Sequence, residues 1–265
     1  MNKILIIGKK SFLGSNLNRY LSKKFNVDIF SFEKVIPKQL SFFDKYTHII
    51  NASIHLKYIN KKYDKKFDLD YKFVSRFKKF NFFYIFLNSR KIYLAKNNIT
   101  EKSELKPINN YGKNKIITER YLKKNIKNKL ISLRISNILG NRLHKNGRHN
   151  HKVFFDNFLT YKKNKNLTVI NDFKDFITIN QFCKIVSKIV KKNIYGIFNV
   201  SLGQKIFISE LVYWLDKKFY KRIKFIKKQN DSFTLSNKKL LNKIKTTITK
   251  NQVKIFCKNL IKQKY

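Results

Sequence analysis

Short apolar runs alternate with helically spaced stretches along the first half of the chain. Residues 3–7 form a β-branched, nearly uninterrupted apolar run, the pattern of a parallel strand buried on both faces. The run breaks at Gly8, and residues 15–25 then place Leu17, Tyr20, Leu21 and Phe25 on one side of a predicted helix. Residues 27–32 alternate into a second strand and residues 47–52 into a third. A helix is predicted over 67–80, a strand over 82–87 running into Asn88-Ser89, a charged amphipathic helix over 111–125 and a strand over 130–134. Strands alternating with helices predict an α/β chain with a Rossmann-type doubly wound parallel sheet.

Past residue 140 the rhythm changes. Residues 144–151 are polar and irregular, the pattern of a loop. Helices are predicted over 153–162, 179–191 and 209–219, with short strands over 168–170 and 197–200 and a basic segment closing the chain. Two Pro and seven Gly mark no linker. The division is therefore into residues 1–140 and a smaller α/β lobe, 141–265, interleaved with the first.

Composition alters this picture less than its extremity promises. Sixty Lys+Arg against 15 Asp+Glu give a formal charge of +45, and a hydrophobic content of 43% excludes a disordered basic tail. Only eight of the basic residues are Arg, and the other enriched types, Asn, Ile, Phe and Tyr, share A/T-rich codons with Lys. The excess reads first as coding composition, so no specific nucleic-acid partner is expected, although a polyanion-binding protein stays as a competing class. Phe82, Phe83 and Phe86 fall inside a predicted strand, where core packing is the better reading than base stacking. Two cysteines make no disulfide framework. The apolar start is too short for a signal peptide, and no run approaches a membrane span of about 20 residues. The expectation is a cytoplasmic protein.

Three stretches carry candidate chemistry. The turn from Gly8 to Gly14 lies between the first strand and first helix, where backbone N–H groups can cradle a pyrophosphate; a plain turn is the alternative. Ser11 stands where a middle glycine would allow the closest approach, and its hydroxyl is a candidate phosphate donor. Tyr111 and Lys115 lie four apart on one helical face, so the ammonium can favour a phenolate and fit the tyrosine for proton transfer. Ser89 ends the preceding strand, with a hydroxyl able to orient the same substrate oxygen. His144, His149 and His151 lack acidic or Cys partners, and no metal is expected.

These stretches, in order, resemble an extended short-chain dehydrogenase/reductase of the NAD-dependent epimerase/dehydratase and sugar-nucleotide reductase group. The resemblance runs nearly end to end. It rests on the glycine turn, Ile49-Ile50-Asn51-Ala52-Ser53, Asn88-Ser89-Arg90-Lys91-Ile92-Tyr93, Tyr111-Gly112-Lys113-Asn114-Lys115, the stretch 133–140, Phe173-Lys174-Asp175-Phe176-Ile177 and Gly196-Ile197-Phe198-Asn199-Val200. It implies an NAD(P)-binding domain over 1–140 and a substrate lobe over 141–265. Tyr111 would be the general acid/base, Ser89 would polarise the substrate oxygen, and Lys115 would tune Tyr111 and hold the nicotinamide ribose. Gly8, Ser11, Phe12, Leu13, Gly14, Ser31, Asn51, Ala52 and Ser53 would contact the cofactor. Asn137, Arg134 and Lys174 would meet a sugar nucleotide and its diphosphate; for Arg134 a structural ion pair beside the site is the alternative.

Departures from the family pattern narrow the reaction. Ser31 replaces the usual acidic residue at the adenosine ribose, with Lys34 nearby, which leans toward NADP, while Glu33 offers an NAD preference instead. Arg90 and Lys91 stand where dehydratases carry Asp-Glu, so dehydration is not expected. The usual third strand looks truncated, and Asp70 replaces an Asn that supports a proton relay in many relatives. The resulting expectation is an NAD(P)-dependent reductase of a nucleotide-activated 4-keto sugar in surface-polysaccharide biosynthesis. A 4-epimerase of the same family is the alternative, and a non-catalytic cofactor-binding module is the competitor of another class. The resemblance also implies a possible homodimer through paired helices.

Overall fold

A computed structural model describes residues 2–77, 81–143, 154–163, 167–228 and 231–262. The first half comprises β1 (Lys3–Ile7), α1 (Phe12–Leu21), β2 (Asn26–Phe30), α2 (Phe32–Val35), β3 (His48–Asn51), α3 (Leu56–Asn60), α4 (Leu69–Arg76), β4 (Phe83–Ser89), α5 (Asn110–Ile126), β5 (Leu130–Ile135) and β6 (Asn137–Leu139). The second half comprises α6 (Phe154–Tyr161), β7 (Leu167–Ile170), β8 (Phe173–Lys174), β9 (Phe176–Thr178), α7 (Ile179–Lys192), β10 (Gly196–Val200), β11 (Ile206–Phe207), α8 (Ile208–Leu215), α9 (Lys217–Tyr220), β12 (Ile223–Ile226), α10 (Lys238–Ile244) and α11 (Lys250–Lys262).

Six strands form one parallel sheet in the order β10-β5-β4-β3-β1-β2. Alternation along each strand assigns its side chains to two cores. Ile4 and Ile6 of β1, Ile85 of β4 and Ile131 and Leu133 of β5 face α1 and α7; Leu5 and Ile7, Tyr84 and Phe86 face α4 and α5. The strands are buried on both sides, which is why they read as apolar runs rather than as alternating ones. β10 comes from the second half, and one core continues from Ile4 through Phe182 and Val200 to Leu260.

Several elements end differently from their sequence pattern, each for a local reason. α1 begins at Phe12 instead of 15, because Ser11 caps it by accepting a hydrogen bond from the Gly14 N–H at 2.9 Å. The helix predicted over 67–80 starts at Leu69, where the buried Asp68 carboxylate caps the Tyr71 N–H, and it ends at Arg76. The helix predicted over 209–219 is two helices. Asp216 takes extended backbone (φ −154°, ψ 105°), caps the Phe219 N–H and starts α9 afresh. Among the described residues no sheet strand lies beyond β2; residues 31–46 include α2 and a turn of tighter helix over Leu40–Phe43. Phe43 packs there against Phe73, Phe77 and Phe82, covering the sheet face with aromatic rings in place of a further strand and helix.

Candidate active site

The strand order reverses between β1 and β3, and the carboxyl ends of the strands open there into a cleft of about 1490 Å³. Its walls bring together Gly8, Ser11, Phe12, Leu13, Ser31, Asn51, Ala52, Ser53, Ser89, Tyr111, Lys115 and Asn137, residues drawn from stretches scattered over more than 120 positions. Gly14, Arg134 and Lys174 do not line it.

At one end the glycine turn brings helix and strand into contact. Gly8 has φ +120°, and a Cβ on Gly14 would lie 2.3 Å from the Gly8 carbonyl oxygen, so a side chain there would push α1 off β1. The Ser11 hydroxyl donates to that same carbonyl at 2.9 Å while accepting from the Gly14 N–H, so its proton is spent inside the turn. The hydroxyl that the sequence offers as a candidate phosphate donor is engaged here in closing the turn. The N–H groups of Phe12 and Leu13, with no acceptor among the described residues, point from the start of α1 and are the donors available to an anion. Asn51 fixes the opposite wall: its Oδ1 accepts from the Ser53 N–H at 3.0 Å and its Nδ2 donates to Asp70 at 2.9 Å.

The reactive end is built on α5. Lys115 is 4% exposed, and its ammonium donates to the Leu87 carbonyl at 2.9 Å. It lies 4.4 Å over the Phe86 ring, 5.9 Å from the centre of the Tyr111 ring and 4.0 Å from the Asp70 carboxylate. Burial pushes the Asp70 carboxyl above the ordinary carboxylate range, while the Lys115 charge and hydrogen bonds from Tyr84 and Asn51 pull the other way. Ser89 ends β4 and accepts the Lys91 N–H on its hydroxyl oxygen at 3.2 Å, leaving its own proton for a ligand. Gly112 explains how Tyr111 comes near it: a Cβ there would fall 2.2 Å from the Lys91 carbonyl oxygen, so only glycine lets α5 lie against the chain leaving Ser89.

Arg134 is placed elsewhere. It is 4% exposed, with its guanidinium bidentate to Glu119 (2.5 and 3.1 Å) and bonded to the Tyr93 hydroxyl and the Glu101 carbonyl. These partners satisfy the fork within the protein, the geometry that the ion-pair alternative expects. Glu119 also accepts from Ser132 and from Asn88 Nδ2 at 2.8 Å, and Asn88 Oδ1 accepts the Ser89 N–H at 2.7 Å. Arg134 is therefore linked to Ser89 through Glu119 and Asn88. Lys174 sits behind the cleft wall beside Asp172 and Asp231.

Sequence reasoning missed Glu119 and Asp231. Glu119 follows Lys115 by one helical turn, a usable signal, whereas Asp231 lies 141 residues from its partner Arg90 and carries no local motif. The described residues hold no cluster of three or more metal-ligating side chains, and His144, His149 and His151 lie outside them.

The sequence profile of the NAD dependent epimerase/dehydratase family matches residues 40–201, more than half of the chain. The chain belongs to that family. Its members are enzymes built on a nicotinamide cofactor, and the cradle formed by Gly8, Gly14 and the two free N–H groups fits one. Similar solved structures include a UDP-N-acetylglucosamine 4-epimerase from Methanobrevibacter ruminantium in complex with UDP-N-acetylmuramic acid (17% identity, 98% of this chain and 97% of that one, TM-score 0.77). The NAD complex of WbmG from Bordetella bronchiseptica is 19% identical over 99% of this chain and 94% of that one, TM-score 0.77. A dTDP-4-dehydrorhamnose reductase from Clostridium acetobutylicum is 18% identical over 98% of each chain, TM-score 0.73. Such identities establish a shared fold. No curated protein matches the chain in sequence. Among the described residues no helix is long and apolar enough to cross a membrane.

Proposed function

We propose that this family member reduces a nucleotide-activated 4-keto sugar with NADPH or NADH, as a step in making a surface polysaccharide. The observation that carries the reading is one cleft joining the glycine cradle to Ser89, Tyr111 and Lys115. The bound nicotinamide would supply a hydride. Ser89 would donate a hydrogen bond to the ketone oxygen, and the Tyr111 hydroxyl would give that oxygen its proton as the carbon is reduced to an alcohol. The resulting phenolate would be stabilised by the Lys115 ammonium, held in place by Leu87 and Phe86. Neither Arg90 nor Lys91 is an acid or base suited to eliminating water at neutral pH. For the cofactor, Ser31, Lys34, Lys9 and Lys10 line the adenosine end of the cleft and favour a 2′-phosphate, with Glu33 opposing them.

The test is NADPH and NADH oxidation across nucleotide-linked 4-keto hexoses. Turnover with NADPH ahead of NADH is expected, and Tyr111→Phe should lower kcat by about 10²–10⁴-fold with the melting temperature unchanged. Interconversion of 4-epimers without net cofactor oxidation would make the protein a 4-epimerase. Failure to bind either cofactor would overturn the reading.

A further inference from the structure

Beside Ser89 the chain carries a group of charges that reduction at C4 does not use. Arg90 is 4% exposed, stacks 3.9 Å over the Phe233 ring and grips the Asp231 carboxylate with both terminal nitrogens. The Lys91 ammonium donates to the same carboxylate at 2.8 Å, and the Lys174 ammonium lies 3.8 Å from it and 3.7 Å from Asp172. Three cations thus face two carboxylates, an excess of one positive charge among the described residues. Crowding like charges costs free energy, and partial burial with the nearby Arg90 and Lys91 charges lowers the pKa of Lys174.

The cluster is partly open, the side chains of Lys91, Lys174 and Asp231 being 32%, 22% and 22% exposed. Lys91 lines the cleft, whereas Arg90, Lys174 and Asp231 do not. Its backbone is fixed at the reactive end, the N–H on the Ser89 hydroxyl and the carbonyl against Gly112, next to Tyr111. Its ammonium has three donors, of which Asp231 takes one. A substrate carbon held between Ser89 and Tyr111 would bring its neighbouring ring substituents beside Lys91, whose flexible stem carries the ammonium bonded to Asp231.

We infer that Lys91, backed by Arg90 and Lys174, selects a nucleotide sugar whose sugar ring itself carries a carboxylate, such as a hexuronic acid, over its neutral hexose counterpart. A hydroxymethyl group leaves the surplus charge unanswered; a carboxylate answers it with a charge-assisted hydrogen bond in a partly dehydrated wall. The inference rests on the sugar-nucleotide reading and sharpens its substrate class.

The experiment compares matched pairs, UDP-glucose with UDP-glucuronate and their dTDP counterparts, in binding to the cofactor-loaded protein by calorimetry. The pairs are also compared as kcat/KM wherever turnover occurs. The acidic member should bind about tenfold or more tightly, and the ratio should fall toward one in Lys91→Met and with rising salt. Lys91→Gln serves if the Met variant does not fold. Equal or tighter binding of the neutral member, or a ratio untouched by both variants, would overturn the inference while leaving the function standing. Binding of neither member by the cofactor-loaded protein would also overturn the inference, whereas failure to bind either cofactor would overturn both it and the function.

Discussion

Lys115 and Glu119 sit one turn apart on α5, both buried, and they build opposite environments. The Lys115 ammonium opens on the cleft with its carboxylate counter-charge at 4.0 Å, held by a carbonyl and an aromatic face. Glu119 is sealed, with Arg134, Ser132 and Asn88 occupying its oxygens and the Arg134 charge and these donors holding its carboxyl below the ordinary range. A saturated pair has no donor or acceptor left for a ligand, whereas a loosely countered cation is open to one. The helix places both against β4, where Glu119 meets Asn88 and Lys115 meets Leu87.

The largest effect separating them should come from Arg134→Met. It strands the Glu119 carboxylate in the core and should cost about 3–5 kcal/mol of stability in urea unfolding. The double variant Arg134→Met, Glu119→Leu should recover most of that loss, because an apolar pair of similar volume needs no counter-charge. A double variant as unstable as the single one would mean that the network holds the sheet together by more than charge pairing.

Lys115→Met should cost less stability, about 1–2 kcal/mol near pH 6, because Asp70 can take up a proton when its counter-ion is lost. The pH dependence has a definite sign. The folded Asp70 pKa is already raised by burial and rises further without Lys115, so the folded state binds more protons than the unfolded state. The gap between variant and parent should therefore be smallest below about pH 4 and widen as pH climbs through the folded value. Urea midpoints at pH 5 and pH 8 measure it, and a gap that narrows with pH would show that Asp70 is not the responding group.

The two environments differ in how far the sequence discloses them. The strands, and the placement of Gly8, Tyr111 and Lys115 in one cleft, are legible because each depends on local periodicity or on short spacing in a strand-turn-helix setting. The break at Asp216 is not, since a helical apolar pattern continues across it while one capping carboxylate stops the helix. Arg134 and Lys174 stand in family motifs that imply a diphosphate contact, with a structural ion pair the alternative for Arg134. Their partners Glu119, Tyr93 and Asp231 come from other segments, and only packing decides whether a guanidinium is free or spent. Ser11 teaches the same lesson within a single turn: its residue type fits a phosphate, and its geometry fits a cap.

Asn88 joins the sealed pair to the open one, and its removal should give the smallest and most informative effect. Its Nδ2 ends on Glu119 and its Oδ1 on the Ser89 N–H, so Asn88→Ala deletes both links without stranding a charge. Loss of two buried hydrogen bonds should cost about 1–3 kcal/mol. A released Ser89 backbone aims its hydroxyl less well, so kcat should fall several-fold. The KM for the cofactor should hold, because the glycine cradle lies at the other end of the cleft. Asn88→Asp keeps the acceptor for Ser89 but sets a carboxylate against Glu119, and should restore less than half of kcat. A stability loss with kcat unchanged would separate the two environments, making the sealed pair a fastener of β4 and α5 with no hand in positioning Ser89.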